Sequence, residues 1–99
     1  MKTRFEWDSV KAAANLRKYG VSFETATRVF ADPNALFEQD RIVDDESRWQ
    51  AVGVVDGCVM LMAAHAVQER DGVEVIRIIS ARRANRQERR RYEEENGSI

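Results

Sequence analysis

Seven arginines crowd into the segment from Arg77 to Tyr92, where Glu88 is the one acid. The local charge of this segment is +6, against −7 for the remainder of a chain whose formal net charge is −1. A guanidinium group carries a permanent charge and five fixed donors, so several together can grip phosphate oxygens and stabilise negative charge in a transition state. The segment therefore predicts a polyanion, such as a nucleic acid, or an acidic protein surface as partner.

Arg82 and Arg83 follow directly on a predicted β-strand, at a strand-to-helix junction where the scaffold can hold their side chains rigidly. We therefore take these two as catalytic candidates. In an extended chain Arg77 shares parity with Arg83, so one sheet face is expected to present both as a phosphate-binding pair. The alternative is that Arg77 pairs with Glu6 or Glu74 on a neighbouring strand, a contact worth under about 1 kcal/mol.

The remaining arginines of the segment fall at helical spacing. Arg86, Arg89 and Arg90 stand three, four or seven residues from Arg82 or Arg83, so a helix would align them into a stripe. We assign them, with Arg77, to RNA binding. The alternative is a solvated helix in which the arginines at 89–91 pair with the glutamates at 93–95, although this order is the weaker one for helix pairs.

Three other side chains are candidates for chemistry. His65, the one histidine of the chain, suits general acid or base work near neutral pH, and is equally well interpreted as a core residue. Lys18 and Tyr19, just before Gly20, suit phosphate and base contacts, with helix-end capping as the alternative. A single histidine and the single Cys58 provide no paired ligands at metal spacing, so neither a metal nor another cofactor is expected.

Hydrophobic periodicity and turn signals predict an α+β fold in the order β-α-α-β-β-β-β-α, with a mainly antiparallel, twisted sheet and two N-terminal helices packed on one face. The acidic stretch from Glu38 to Glu46 is interpreted as a polar loop. Asp56-Gly57 suits a two-residue hairpin turn between two strands, and Asn85 with Glu88 three residues later resembles a capping box at the start of the last helix. The predicted elements are a strand at Thr3–Trp7, helices from Ser9 to Gly20 and from Ser22 to Asp32, strands at Ala35–Phe37, Arg48–Val55, Cys58–Val67 and Val73–Ile79, and a helix from Asn85 to about Glu95.

Length and composition indicate the domain organisation and the cellular compartment. A chain of 99 residues with 43% hydrophobic and 33% charged content fits one domain, here residues 1–99 with a frayed tail over 93–99. The N-terminus does not resemble a signal peptide, and no apolar run is long enough to span a membrane. With one cysteine the chain cannot form an internal disulfide, which favours a reducing compartment, the cytoplasm.

Three separated motifs in this order resemble the BrnT toxin family, and the resemblance runs from about Phe5 to Glu93. The motifs are Phe5-Glu6-Trp7-Asp8 followed by KAAANLRKYGVSFE at 11–24, then IISARRA at 78–84, and finally ERRRYE at 88–93.

The resemblance implies a RelE-like ribonuclease fold, metal-independent endonucleolytic cleavage of RNA that stops translation and growth, and neutralisation by a BrnA-type antitoxin in a tight complex. In such ribonucleases the substrate 2′-hydroxyl attacks the adjacent phosphate, and arginines stabilise the resulting charge. By the motif match Lys18, Arg82 and Arg83 carry over as catalytic residues, together with Arg48 and His65 on the predicted hairpin. Tyr92 carries over as a stacking or core residue.

One position departs from the family pattern, which commonly reads Lys-His-Gly where this chain has Lys18-Tyr19-Gly20. Tyrosine, with a reference pKa near 10, is a poor base at neutral pH. Either another group such as His65 moves the proton, or Tyr19 stacks on a base. Two other functions also fit the arginines: a non-catalytic nucleic-acid-binding module and a module that binds an acidic protein.

Overall fold

The computed structural model describes residues 2–97, which form five strands, three helices and one 3₁₀ turn. The elements are β1 (Lys2–Glu6), α1 (Ser9–Tyr19), α2 (Phe23–Thr27) continued by the 3₁₀ turn Arg28–Ala31, β2 (Leu36–Val43), β3 (Glu46–Val55), β4 (Val59–Arg70), β5 (Val73–Arg83) and α3 (Arg86–Glu95). The predicted order of elements is confirmed.

Local capping chemistry sets the helix boundaries. Asp8 accepts hydrogen bonds from the N–H groups of Val10 and Lys11 at 2.8 and 3.1 Å, and begins α1. Gly20, with φ of 71°, ends α1 in the left-handed conformation that glycine adopts without steric cost. At α3 the predicted capping box is present, because Asn85 and Glu88 each bond the other's backbone N–H.

All five strands join one sheet in the order β1-β5-β4-β3-β2. β1 pairs with β5 in parallel, and the other three pairings are antiparallel. The sheet is thus mainly antiparallel, as predicted, whereas the parallel pairing of β1 was not predicted. We call face A the side of the sheet that carries Ala51, Ala63 and Ile78, and face B the side that carries Val52, Met62 and Arg82. Helices α1 and α2 pack on face A, whereas α3 packs its Tyr92 on face B.

The hairpin turns are only partly as predicted. Asp56 and Gly57 have φ of 55° and 71° and lie at the centre of the β3–β4 turn, but Cys58 belongs to this turn and not to the strand. The prediction of a polar loop over residues 38–46 is wrong, because β2 runs to Val43 and the Asp44-Asp45 turn joins it to β3. Both of these aspartates adopt positive φ without a glycine, so the usual turn signal was missing.

A bulge in β5 overturns one predicted pairing. His65 pairs with Ile78 and Ala64 with Ser80, so Ile79 is an extra residue in β5. The inserted residue reverses the alternation of side chains beyond it. Arg77 and Arg82 therefore share face B, and the expectation that Arg77 and Arg83 share a face is wrong.

Near the C-terminus, α3 continues to Glu95, and Asn96 Nδ2 donates to the backbone oxygen of Asn34 at 3.1 Å. Part of the tail predicted to fray is therefore packed, and residues 98 and 99 lie outside the described residues.

Candidate nucleic-acid interface

The end of α1 and the end of β5 meet through one buried side chain, Asn15. Its Nδ2 donates to the backbone oxygens of Val21 and Ala81, both at 2.9 Å, and its Oδ1 accepts from the Ala81 N–H at 3.1 Å. These bonds fix β5 immediately before Arg82, next to the turn that follows α1. We call the group formed by Lys18, Tyr19, Arg82 and Arg83 the arginine junction.

Arg82 points to face B and binds Glu88 of α3 in a bidentate pair. Nη1 lies 2.9 Å from Oε1 and Nη2 lies 3.0 Å from Oε2 of Glu88, whose side chain is only 5% exposed. Nη1 also donates to the Arg83 backbone oxygen at 3.1 Å, so three of the five N–H donors of Arg82 are engaged. The Arg82 side chain keeps 31% of its surface exposed, which leaves its other donors accessible.

Arg82 and Glu88 each stabilise the charged form of the other. The hydrogen bond with Glu88 raises the pKa of Arg82 above its usual value against the effect of burial, and the neighbouring Tyr19 adds a smaller contribution in the same direction. Burial raises the pKa of Glu88, but the bonds from Arg82 and from the Asn85 N–H outweigh it and leave this pKa below its ordinary value. Both groups are therefore charged at neutral pH.

Arg83 points to the opposite face and is exposed. It lines a shallow cavity of about 440 Å³ together with Tyr19, Asp56, Cys58 and other residues of the β3–β4 turn. Lys18 lies beside this cavity, with its Nζ 5.1 Å from the centre of the Tyr19 ring. No salt bridge within residues 2–97 involves Arg83, so its guanidinium is open to a ligand.

Arg48 and Arg77 meet on face B, further from α3, in a pocket that Asp44, Asp45 and Glu46 also line, so the arginines there are outnumbered by carboxylates. Both pair with the same carboxylate, that of Glu46: Arg77 through Nη2, and Arg48 through Nε at 3.6 Å. Ala66 lies between them in the sheet, and its methyl group is small enough for the long side chains of β3 and β5 to meet above it. The acid that pairs with Arg77 is thus Glu46, neither of the two proposed from the sequence.

The arginines of α3 divide into an outer and an inner set. Arg86, Arg89 and Arg90 are exposed and line an open depression of about 400 Å³. Arg91 points inward and binds Glu38 of β2, with Nη2 and Oε1 3.1 Å apart. Because β5 continues through Arg83, the predicted helical stripe begins only at residue 86, and the i to i+4 pairs proposed for 89–91 do not occur within the described residues.

His65 lies apart from the arginine junction. It is on face A, 2% exposed, with Phe30 packed edge-on against it at 4.8 Å between ring centres. Burial lowers the pKa of His65, so the ring is neutral at pH 7. Leu61, which pairs with Arg83, is four residues from His65 along β4, about 13 Å at the usual rise of a strand. The structure does not bring His65 together with the arginines as an acid–base group.

Three positioning residues escaped the sequence analysis: Asn15, Glu88 as the partner of Arg82, and Asp32. Asp32 Oδ2 accepts from Val54 N–H at 2.8 Å and from the Tyr92 hydroxyl at 2.7 Å, which ties α3 to β3. No sequence signal marked Asn15, because the large apolar side chains of α1, Val10 and Leu16, are exposed whereas Asn15 is buried. The partners of Glu88 and Asp32 are set by tertiary contacts.

In the part of the chain that the structure describes, no three His, Cys, Asp or Glu side chains cluster as metal ligands. None of the helices in residues 2–97 is long and apolar enough to cross a membrane.

Residues 7–88 match a family model described as the ribonuclease toxin BrnT of type II toxin–antitoxin systems. The chain belongs to the BrnT family. The 1.1 Å crystal structure of the Brucella abortus ribonuclease toxin BrnT superposes on this BrnT-family fold with a TM-score of 0.58 and 18% sequence identity. The alignment covers 87% of this chain and 100% of the Brucella chain, so the two share the fold. No curated protein matches this sequence.

Proposed function

We propose that this BrnT-family chain is a metal-independent endoribonuclease that cleaves RNA in the cytoplasm, stops translation and growth, and is neutralised by a BrnA-type antitoxin. The observation that carries the proposal is the arginine junction, in which the ends of α1 and β5 bring Lys18, Tyr19, Arg82 and Arg83 to one end of the sheet. These residues bind and stabilise phosphate, which is the task an RNA-cleaving site without a metal must perform.

The reaction begins with the 2′-hydroxyl of one nucleotide attacking its own 3′-phosphate. The phosphorus bond to the 5′-oxygen of the next nucleotide breaks, and the products are a 2′,3′-cyclic phosphate and a 5′-hydroxyl. One proton leaves the 2′-oxygen and one reaches the 5′-oxygen, while negative charge gathers on the phosphate oxygens. Arg83 and Lys18 supply positive charge to those oxygens, and Tyr19 supplies an aromatic face for a base.

Arg82 has a different part in this proposal. Its bidentate pair with Glu88 fixes the guanidinium plane, so its two remaining donors point in a constant direction. It therefore acts as an oriented donor and as the anchor of α3. The outer arginines of α3 extend the positive surface along which RNA is held. Arg48 and Arg77 share their pocket with the carboxylates of Asp44, Asp45 and Glu46, so they add no net positive charge to that surface.

Incubation of the purified chain with cellular RNA and a chelator tests the proposal. We expect the parent to cleave and an Arg83→Ala variant to lose activity on the order of 100-fold, because it loses one donor to the transition state while keeping the fold. Arg70→Ala is the matched control, since Arg70 is an exposed arginine at the opposite end of β4 that pairs with Glu6.

Two results would contradict the proposal. Salt-sensitive RNA binding without cleavage would make the chain a nucleic-acid-binding module, and tight capture of an acidic protein without RNA affinity would make it a protein-binding module. Addition of the antitoxin should abolish cleavage by the parent.

A further inference from the structure

Helices α1 and α2 cover only part of face A. The helix layer ends with the 3₁₀ turn at Ala31, whereas β4 and β5 continue towards the Asp71-Gly72 turn. The uncovered part of face A forms a cavity of about 650 Å³. We call this cavity the aromatic groove, and its apolar walls are Phe5, Phe30, Phe37, Trp49, Val67 and Ile76.

Large apolar side chains in this groove are open to solvent. Phe37 is 47% exposed and Val67 is 36% exposed, and Ile42, on the same face of β2, is 67% exposed. The ring of Phe30 contacts those of Phe5 and Phe37 at 5.3 and 5.8 Å between centres, which makes the wall continuous. A contiguous exposed apolar surface of this kind is typical of a protein-binding site.

The charges at the groove favour a cationic partner. Glu74 lines the groove, and Glu69 is its direct register partner on β4, so both carboxylates stand on the same face. Like charges directly opposite each other in a sheet destabilise it. The one other ionisable lining residue, among those that the structure describes, is the buried and neutral His65. A lysine or arginine brought by a partner would relieve this repulsion, whereas RNA would increase it.

From these observations we propose that the aromatic groove docks an amphipathic segment of the protein antitoxin, with apolar anchors in the groove and a lysine or arginine placed at Glu69 and Glu74. The inference rests on the proposed function only in taking the partner to be an antitoxin. A groove that accepts apolar anchors from a helix while charges fix its register is a common mode of peptide recognition. The docking surface is separate from the arginine junction, which lies towards the other end of β4 and β5.

Two designed peptides of identical length and pattern serve as probes, one of leucine and lysine and the other of leucine and glutamate. The side-chain N–H signal of Trp49 in the intact chain reports occupancy of the groove, and that of Trp7, which packs on Phe23, is the internal control. We expect the lysine peptide to shift the Trp49 signal and saturate, and to bind at least 10-fold more tightly than the glutamate peptide, because opposite charges meet in one case and like charges in the other.

Variants distinguish binding in the aromatic groove from nonspecific binding of the peptides elsewhere on the surface. Glu74→Lys should reverse the preference between the two peptides, and Phe37→Glu should remove binding. Val10→Glu is the matched control for Phe37→Glu, because Val10 is an apolar side chain 75% exposed on α1, and its replacement should leave binding unchanged. Should Phe37→Glu fail to fold, the reversal in Glu74→Lys still decides the matter.

Equal affinity for both peptides in the parent and in Glu74→Lys would overturn the proposal. Sedimentation that shows a dimer lost in Phe37→Glu would assign the groove to a second copy of the chain, and a shift of the Trp49 signal by an RNA oligonucleotide would assign it to substrate. Peptide binding is measured without RNA, so its outcome is independent of whether the chain is a ribonuclease.

Discussion

Arg82 of β5 and Glu88 of α3 form a bidentate ion pair at 2.9 and 3.0 Å, with the carboxylate buried at the start of the helix. Glu88 also accepts from the Asn85 N–H, so one carboxylate completes the helix cap and holds the arginine. The pair places α3 on face B and fixes the guanidinium of Arg82 there, on the opposite face of β5 from Arg83. The Glu88 side chain thus forms part of the local helix cap and also makes the tertiary contact that holds Arg82.

Glu88→Gln should destabilise the fold by about 1–3 kcal/mol, because the half-buried cation of Arg82 loses its counter-ion while the shape of the residue 88 side chain is kept. Urea unfolding of parent and variant at neutral pH measures the difference. Glu93→Gln, an exposed glutamate on the same helix, is the control and should change the free energy of unfolding by less than about 0.5 kcal/mol.

The difference between parent and Glu88→Gln should also depend on pH. The pKa of Glu88 is lower in the folded chain than in the unfolded chain, so its stabilising effect is full above the ordinary value of 4.5 and is lost as the pH falls through the folded value. Unfolding curves at a series of acidic pH values should therefore converge. A gap that persists undiminished at the lowest pH would show that Glu88 acts through packing alone.

Asn15→Leu should cost roughly 2–3 kcal/mol, because it leaves the Ala81 N–H and two backbone oxygens buried without partners. Chemical unfolding gives the free energy, and Gln87→Leu at an exposed position of α3 is the control. Amide exchange should accelerate most at Ala81. Unchanged protection of that amide would mean that Asn15 does not hold the end of β5.

Tyr92→Phe should cost about 1–2 kcal/mol at neutral pH, since the half-buried Asp32 carboxylate loses a donor at 2.7 Å. Burial and the bond to Asp32 raise the pKa of Tyr92 to about 12. The stabilising effect is therefore complete below the ordinary value of 10.0 and is lost as the pH rises towards about 12.

Ultraviolet titration at alkaline pH in a Tyr19→Phe background isolates the phenol of Tyr92. If Tyr92 titrates at its ordinary value, the contact with Asp32 is not formed in solution.

Local sequence patterns predicted most of the helices and strands but few of the contacts between them. Asp8, Gly20, Asn85 and the Asp56-Gly57 turn act within a few residues, so their chemistry can be interpreted from the sequence. The bulge at Ile79 depends on how β5 pairs with β4, and it moved Arg77 to the face of Arg82. The placement of α3 on face B likewise depends on the contact between Tyr92 and Asp32, which are 60 residues apart.

In the candidate site too, the sequence identifies several of the residues, whereas tertiary packing sets their contacts. The motifs containing Lys18, Arg82 and Arg83 were found by resemblance, and the structure brings these residues to one end of the sheet. The sequence left His65 open between an acid–base group and a core residue, and its packing beneath Phe30 decides for the core. The shared carboxylate of Glu46 could not be foreseen, because Glu46 and Arg77 are 31 residues apart in sequence.

Replacement of Arg86 and Arg90 by glutamine should weaken RNA binding by a salt-dependent amount. Both side chains are exposed on α3, and each phosphate contact to single-stranded RNA contributes about 0.7 to the slope of log affinity against log salt. The double variant should therefore lower that slope by about 1.4, as measured by fluorescence anisotropy. An unaltered slope would show that these arginines do not meet the backbone of RNA.

Cleavage of a defined oligonucleotide by the purified chain in the presence of a chelator tests the central claim most directly. The parent should cut an all-RNA strand and leave a 2′,3′-cyclic phosphate, and a single 2′-deoxy substitution at the cut site should block that cut because the attacking hydroxyl is gone. The Arg83→Ala variant should cut the all-RNA strand far more slowly than the parent does, and it should not cut the 2′-deoxy strand at that site. An intact RNA strand, or a cut that survives the 2′-deoxy substitution, would contradict the assignment of the arginine junction as a ribonuclease site.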